Sequence, residues 1–320
     1  ARIKRFFTVG VRRSPRRAKN TIMAKNTIET AAAPERVVVI GAGGFVGSTV
    51  VAAAEQRGYA VQPLGSADFD LLADGAGQRL LDRLQPNDTV VFVSARAPVK
   101  DYAMFEQNIL MAKNALDGLV CQPLAQLLYI SSDAVYSDSD DPLTEQSVTA
   151  PDNLHGQMHA AREIMFQATL ADVPFATLRP TLIYGAGDPH NGYGPNRFRR
   201  LVLDGAAIAL FGNGEERRDH VSVRDVAELA VRMIEHRTTG SLNAVTGKVA
   251  SFRGLAEMTI GFSDADIPIE TLPRSGPMPH GGYRPFDPAE AMRLFPDFSF
   301  TELEAGLRAA FDEVKGANAK

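Results

Sequence analysis

Two histidines four residues apart, His155 and His159, are the sharpest chemical feature of this chain. On a helix that spacing turns both imidazoles to one face. A neutral imidazole, with a pKa near about 6.5, accepts a proton at neutral pH without help from a cation. The same pair could also reach a metal ion, but there is no H-E-x-x-H glutamate and no third ligand is evident, so no metal is expected. Two solvent-facing histidines are the plainest alternative. A second feature is Gly41-Ala42-Gly43-Gly44-Phe45-Val46-Gly47. Glycines at this spacing allow a tight turn and let the backbone approach a pyrophosphate, which a helix N-terminus then holds with unpaired N–H groups.

Both features need elements to carry them. Val37-Val38-Val39-Ile40 reads as a buried strand leading into the glycine turn, and Gly44 to Gln56 reads as the helix that follows. Ala60–Leu64, Thr89–Val93, Leu127–Ile130 and Phe175–Leu178 are further strands, with helices over Asp101–Leu119 and Leu154–Leu170. Strand and helix alternating at this spacing give βαβ units, hence an α/β fold of the Rossmann type with a doubly wound parallel sheet. After Pro180 the alternation weakens and Pro and Gly become frequent, which predicts a smaller, interleaved C-terminal lobe over the carboxyl ends of the strands. The expected division is a dinucleotide-binding domain over 35–180 and 221–247, and a substrate-binding lobe over 181–220 and 248–320.

Charge narrows the function classes. The net charge is −4, yet Arg2, Lys4, Arg5, Arg12, Arg13, Arg16, Arg17, Lys19 and Lys25 fall in the first 28 residues without one acid. The remainder is therefore strongly acidic, which argues against a nucleic-acid groove. Residues 1–34 read as a basic tail without a fold, a transit peptide being the alternative. The tail holds a short duplication, Ala18-Lys19-Asn20-Thr21-Ile22 and Ala24-Lys25-Asn26-Thr27-Ile28. No apolar run reaches the length of a membrane span, so no membrane partner is expected and a cytoplasmic location is. The one cysteine, Cys121, excludes an internal disulfide.

The glycine spacing G-x-x-G-x-x-G resembles that of the extended short-chain dehydrogenase/reductase family, the sugar-nucleotide epimerases and dehydratases. Other segments follow the family over roughly residues 35 to 312. Asp70-Leu71 resembles the pair beside the adenine, Ser94 and Ala95 the small residues along the cofactor, and Asn108 with Asn114 the family's N-x-x-x-x-x-N helix. The resemblance implies that Gly41, Gly44, Phe45, Val46, Gly47, Asp70, Leu71, Ser94, Ala95, Asn108 and His159 bind the cofactor. The second strand ends Pro63-Leu64-Gly65-Ser66, with neither an acid for a ribose hydroxyl nor an arginine for a 2′-phosphate. NAD is expected for want of a nearby cation, with NADP kept open.

Leu128 to Tyr136 resembles the strand bearing S-[ST]-x-x-V-Y, in which Ser132 takes the place of the residue that holds the reacting oxygen. The next family element is P-x-x-x-Y-G-x-[ST]-K-x-x-x-E. Here Pro151, Gly156 and Glu163 match, while His155 stands in the tyrosine's place and His159 in the lysine's. In the family, tyrosinate removes a hydroxyl proton and the lysine holds the ribose and lowers the tyrosine pKa. The catalytic residues expected here are Ser132, His155 and His159.

In the second lobe Arg179-Pro180-Thr181 resembles R-[PY]-x-N, with Thr181 where an asparagine would touch the substrate diphosphate. Asn196 and Arg197, at a helix start, are suited to an anion. Phe211 to Val221 resembles G-x-G-x-x-x-R-D-[FY]-V, in which Arg218 holds the diphosphate through a forked guanidinium, a salt bridge to Asp219 or Asp225 being the alternative. Arg284 is expected as a second phosphate or base contact. The reading is an atypical NAD-dependent epimerase, dehydratase or reductase acting on a nucleotide-diphosphate sugar, as a homodimer through the helices Asp101–Leu119 and Leu154–Leu170. The alternative is a non-catalytic dinucleotide-binding sensor or assembly subunit.

Overall fold

A computed structural model describes residues 26–67 and 69–318. In chain order its strands and helices are β1 (Val37–Ile40), α1 (Phe45–Gln56), β2 (Val61–Leu64), α2 (Ala76–Leu81), β3 (Thr89–Phe92), α3 (Tyr102–Leu119), β4 (Gln126–Ile130), α4 (Leu154–Thr169), β5 (Phe175–Pro180) and β6 (Leu182–Tyr184). Then follow α5 (Pro195–Leu203), β7 (Ile208–Phe211), β8 (Arg217–Ser222), α6 (Val223–Glu235), β9 (Gly240–Ala244), β10 (Val249–Ser251), α7 (Phe252–Ile260), β11 (Ile269–Leu272), β12 (Tyr283–Arg284), α8 (Ala289–Leu294) and α9 (Leu303–Asn318).

The main sheet runs β2-β1-β3-β4-β5-β9, with every pairing parallel. Its central strands β1 and β3 are almost wholly apolar and fully buried because helices cover both faces. Val37 and Val39 point into the layer under α1 and α6, while Val38 and Ile40 point into the layer under α3. The period of two thus assigns one strand to two cores. Pro63 is tolerated in β2 because that strand forms the sheet edge. β1 and β3 lead to connections on opposite sides, so their carboxyl ends leave the crevice in which such sheets bind ligands.

A third apolar cluster, around Tyr184, Phe198, Phe252 and Phe311, gathers α5, α7 and α9. β8 pairs there with β6, β10 and β12, and β7 pairs with β11. Within residues 248–320, Ala291, Leu294, Phe295 and Phe298 return to the large core, whereas Leu307 and Phe311 stay with the smaller one.

The expected tail requires a correction. Residues 1–25 lie outside the described residues, as does the first copy of the duplication, but 26–34 are held against the body. Thr27 bridges Thr239, Asn26 Nδ2 donates to Glu290 Oε1 at 2.8 Å, and Glu29 N–H donates to the His236 carbonyl. Composition missed this because the contacts are backbone and polar ones, made to residues over 200 positions away. Among the described residues no helix is long and apolar enough to cross a membrane.

Candidate functional site

The crevice opens into a cleft of about 860 Å³ between the sheet's carboxyl edge and the smaller lobe. The glycine loop forms one wall. Gly41 has φ +98°, and a Cβ on Gly47 would stand 2.1 Å from the Gly41 carbonyl oxygen, so only glycine lets the helix start this close to the strand. Gly44 begins α1 with no side-chain cap, and Gly44, Phe45 and Val46 lie on the cleft wall. Gly47 packs behind them. Asp70, Leu71, Ser94 and Ala95 line the same part of the cleft.

Asn108, expected among the cofactor contacts, is not on the cleft wall. It is buried one layer behind the wall, with Oδ1 accepting from Arg96 N–H at 3.0 Å and Nδ2 donating to the Arg96 carbonyl at 2.9 Å. These bonds fix the segment after β3. Asn114 similarly donates to the Leu71 carbonyl at 2.7 Å.

The floor is built by β4 and the start of α4. A short 3-10 turn, Asp133–Val135, follows β4, and the Ser132 hydroxyl accepts from Ala134 N–H at 3.1 Å. Asn153 caps α4 by accepting from Gly156 N–H at 2.9 Å. A Cβ on Gly156 would lie 2.0 Å from the Ala134 carbonyl oxygen, so glycine here lets the helix start press onto the serine-bearing turn. That contact brings Ser132, Asp133, His155 and His159 into one cleft.

The two imidazoles meet edge to face with centroids 4.8 Å apart. His155 is half-buried, and its Nδ1 is shielded with no protein partner among the described residues. Burial lowers its pKa, and the Asp133 carboxylate partly opposes that. His159 is buried, with Nδ1 2.6 Å from the Tyr129 hydroxyl. Burial, then the neighbouring His155 and Arg162, hold it well below the ordinary histidine range. Neither ring is a cation at neutral pH. Among the described residues no cluster of three or more His, Cys, Asp or Glu side chains could hold a metal.

The second lobe supplies Thr181, Asn196, Arg218 and Arg284 to the cleft, but not Arg197, which is half-buried outside its walls. Thr181 Oγ1 donates to the Asp219 carbonyl, and Asn196 is occupied by Gly185 N–H and the Ile183 carbonyl. Arg218 is not paired with Asp219 or Asp225, whose carboxylates accept from Thr246 and Gly247 and from Thr301. Among the described residues its partner is Glu216, at 3.4 Å, and its Nε has none. Arg284 is more committed than expected. It donates to the carboxylates of Asp133 and Asp138 and to the carbonyls of Asp133 and Tyr136, bracing the turn after Ser132.

Sequence reasoning missed Asp133, His190, His220 and His280, all of which line the cleft. Five of the six histidines therefore surround one cavity, from segments up to 125 positions apart. Their number in so short a tally was the only available signal.

The family model described as NAD dependent epimerase/dehydratase matches residues 37–245. UDP-glucose 4-epimerase from Thermus thermophilus, solved with NAD, superposes with a TM-score of 0.77 at 24% identity over 88% of this chain and 99% of that one. UDP-glucuronic acid 4-epimerase from Bacillus cereus, in complex with UDP-glucuronic acid and NAD, gives 0.76 at 20% identity over 88% and 99%. GDP-L-fucose synthetase from Naegleria fowleri, bound to NADP, gives 0.78 at 15% identity over 95% and 98%. At these identities the superpositions speak for the fold, and the family match carries the nicotinamide dinucleotide as cofactor. This chain belongs to the NAD dependent epimerase/dehydratase family.

Proposed function

We propose that this protein is a nucleotide-sugar epimerase, dehydratase or reductase in which His155 replaces the family's tyrosine as the base. The observation that carries this reading is the meeting of Ser132 and His155 in the cleft that also holds the glycine loop.

The residues present fit the cofactor. The uncapped helix start at Gly44 leaves room and N–H donors for a pyrophosphate, a cradle that a bulkier side chain would fill. Asp70 and Leu71 would lie by the adenine and Ser94 and Ala95 along the dinucleotide. When bound, the nicotinamide accepts or returns a hydride. Ser132 donates its hydroxyl proton toward the reacting oxygen, and neutral His155 accepts the proton released there. His159, uncharged, offers a hydrogen bond to the ribose where the family uses a cation. Arg218, with Nε unpartnered and one long side-chain contact among the described residues, is a guanidinium available to a diphosphate, whereas Arg284 acts by holding Asp133 in place. Homodimerisation belongs to the same proposal, supported by exposed Tyr102 and Leu110 on α3 and Leu154 and Ile164 on α4.

The test is a panel of nucleotide-diphosphate sugars incubated with wild type and His155→Ala, read by product analysis and nicotinamide absorbance. Turnover by wild type and its loss in the variant support the enzyme. Nucleotide binding with no turnover in either supports the sensor or assembly subunit.

A further inference from the structure

Arg162 was only a filler position between the matched residues of its motif, yet it is fully buried. Among the described residues none of its hydrogen bonds reaches a carboxylate. Nε and Nη2 donate to the Asn108 carbonyl at 2.9 and 2.6 Å, Nη2 also to Asn108 Oδ1 at 3.0 Å, and Nη1 to the Ser94 carbonyl at 2.8 Å. The guanidinium stands 5.5 Å over the Phe92 ring and beside the Tyr129 hydroxyl. A permanent charge thus sits beneath the cleft, three residues beyond the neutral imidazole that occupies the lysine's place.

Tyr129 links that charge to the cleft. It is fully buried on β4, packed against Phe92 and Phe166, and its hydroxyl is 2.6 Å from His159 Nδ1. A guanidinium can only donate, so the phenol's lone pairs face Arg162 and its proton is directed at His159 Nδ1. Burial raises the Tyr129 pKa, so the hydroxyl keeps that proton. His159 Nδ1 is then an acceptor, which leaves Nε2 carrying the hydrogen on a ring that itself lines the cleft.

We propose that Arg162 is the displaced cation of this site and that, through Tyr129, it positions His159 as an uncharged Nε2–H donor to the bound cofactor. This rests on the reading of the cleft as a dinucleotide site. Arg162 and Tyr129 are positioning residues; neither lines the cleft. The charged and titratable groups facing His159 are His155 and Arg162 from its own helix and Tyr129 from β4. Asp133 acts on His155, and Glu163 is turned away to Arg179 and Ser131.

The decisive measurement is the nitrogen NMR spectrum of the histidine side chains in the full chain without ligand, from pH 5 to 8. Wild type should show His159 as a single neutral Nε2–H tautomer throughout. Tyr129→Phe keeps the packed ring and removes only the hydroxyl, and it should give mixed tautomers. Arg162→Met frees the Tyr129 hydroxyl to turn and should likewise give mixed tautomers, and Arg162→Lys should restore the single form. If the methionine variant does not fold, Tyr129→Phe still decides. A Tyr129→Phe spectrum with one unchanged Nε2–H tautomer overturns the proposal. Calorimetry with NAD should show an affinity nearly independent of pH in wild type, and a loss of about 3- to 10-fold in Tyr129→Phe. Absence of NAD binding by wild type would remove the cofactor reading, while the tautomer spectra would still stand for or against the relay.

Discussion

Arg179 and Glu163 close a two-pronged ion pair inside the protein, with Nε 3.0 Å from Oε1 and Nη2 2.6 Å from Oε2. The pair ties β5 to α4 and takes in two further groups. Ser131 donates to the same Oε1 at 2.6 Å, and Arg179 Nη1 donates to the Tyr136 hydroxyl at 2.8 Å. Removing the carboxylate strands a guanidinium that is 2% exposed. Glu163→Ala should therefore destabilise the fold by about 3–5 kcal/mol, and the apolar pair Glu163→Leu with Arg179→Met should recover part of that. Urea unfolding measures both; an unchanged midpoint in Glu163→Ala contradicts the assignment.

The glycine loop separates fold from ligand. Gly44 has φ −84°, and a Cβ there meets nothing closer than the Gly41 carbonyl oxygen at 3.4 Å. Gly44→Val should melt near wild type yet lose NAD affinity by at least about tenfold, because the side chain fills the pyrophosphate's path. Gly47→Ala drives its methyl into Gly41 and should lower the melting temperature instead. Calorimetry and thermal unfolding on the two variants distinguish the roles.

His155→Ala should lower turnover by on the order of 10²-fold. Because burial lowers the His155 pKa, the proposed base stays deprotonated to more acidic pH than a free imidazole would, and the acid limb of the rate profile should fall below about 6.5. The Asp133 carboxylate opposes that shift, so Asp133→Asn should move the limb further down. A limb that does not move in Asp133→Asn would rule out His155 as the titrating group.

Burial pushes the His220 pKa to about 3, from about 6.5 in the unfolded chain. The unfolded state therefore binds the extra proton between these values. His220's contribution to stability is complete above the upper value and declines as pH falls through the window. His220→Phe should flatten the acid side of the stability curve by up to ~1.4 kcal/mol per pH unit. Equal slopes for variant and wild type between pH 6 and 4 would show that His220 is not buried as described.

A chain beginning at Glu29 lacks the Thr27–Thr239 bridge and the Asn26–Glu290 hydrogen bond. It should be less stable by about 1–2 kcal/mol, and Asn26→Ala alone should account for a measurable part. Thermal unfolding that matches the full chain would return these residues to the status of a passive tail.

The strand Val37–Ile40, the turn after it and the helix Phe45–Gln56 are legible in the sequence because their causes are local. A four-residue apolar run is buried on both faces, glycines permit the turn, and the helix follows within the same stretch. Asp101 and Asn153 likewise cap their helices through residues three positions away. The match of Pro151, Gly156 and Glu163 similarly placed His155 and His159 on α4, and the cleft contains both.

What the sequence could not express is which side chains the fold consumes. Asn108, Asn196 and Arg284 have the right types for ligand contacts, but their hydrogen bonds go to carbonyls, N–H groups and carboxylates of the protein. Arg218 could equally have paired with Asp219 or Asp225, until Thr246, Gly247 and Thr301 claimed those carboxylates. Arg162 showed no chemistry in its motif, and Tyr129 read as one more apolar strand residue. Their partners stand 54 and 30 positions away, at Asn108 and His159. Periodicity tells which face of an element is buried; only the packed structure decides which donor meets which acceptor, because that depends on distances between segments that the chain keeps far apart.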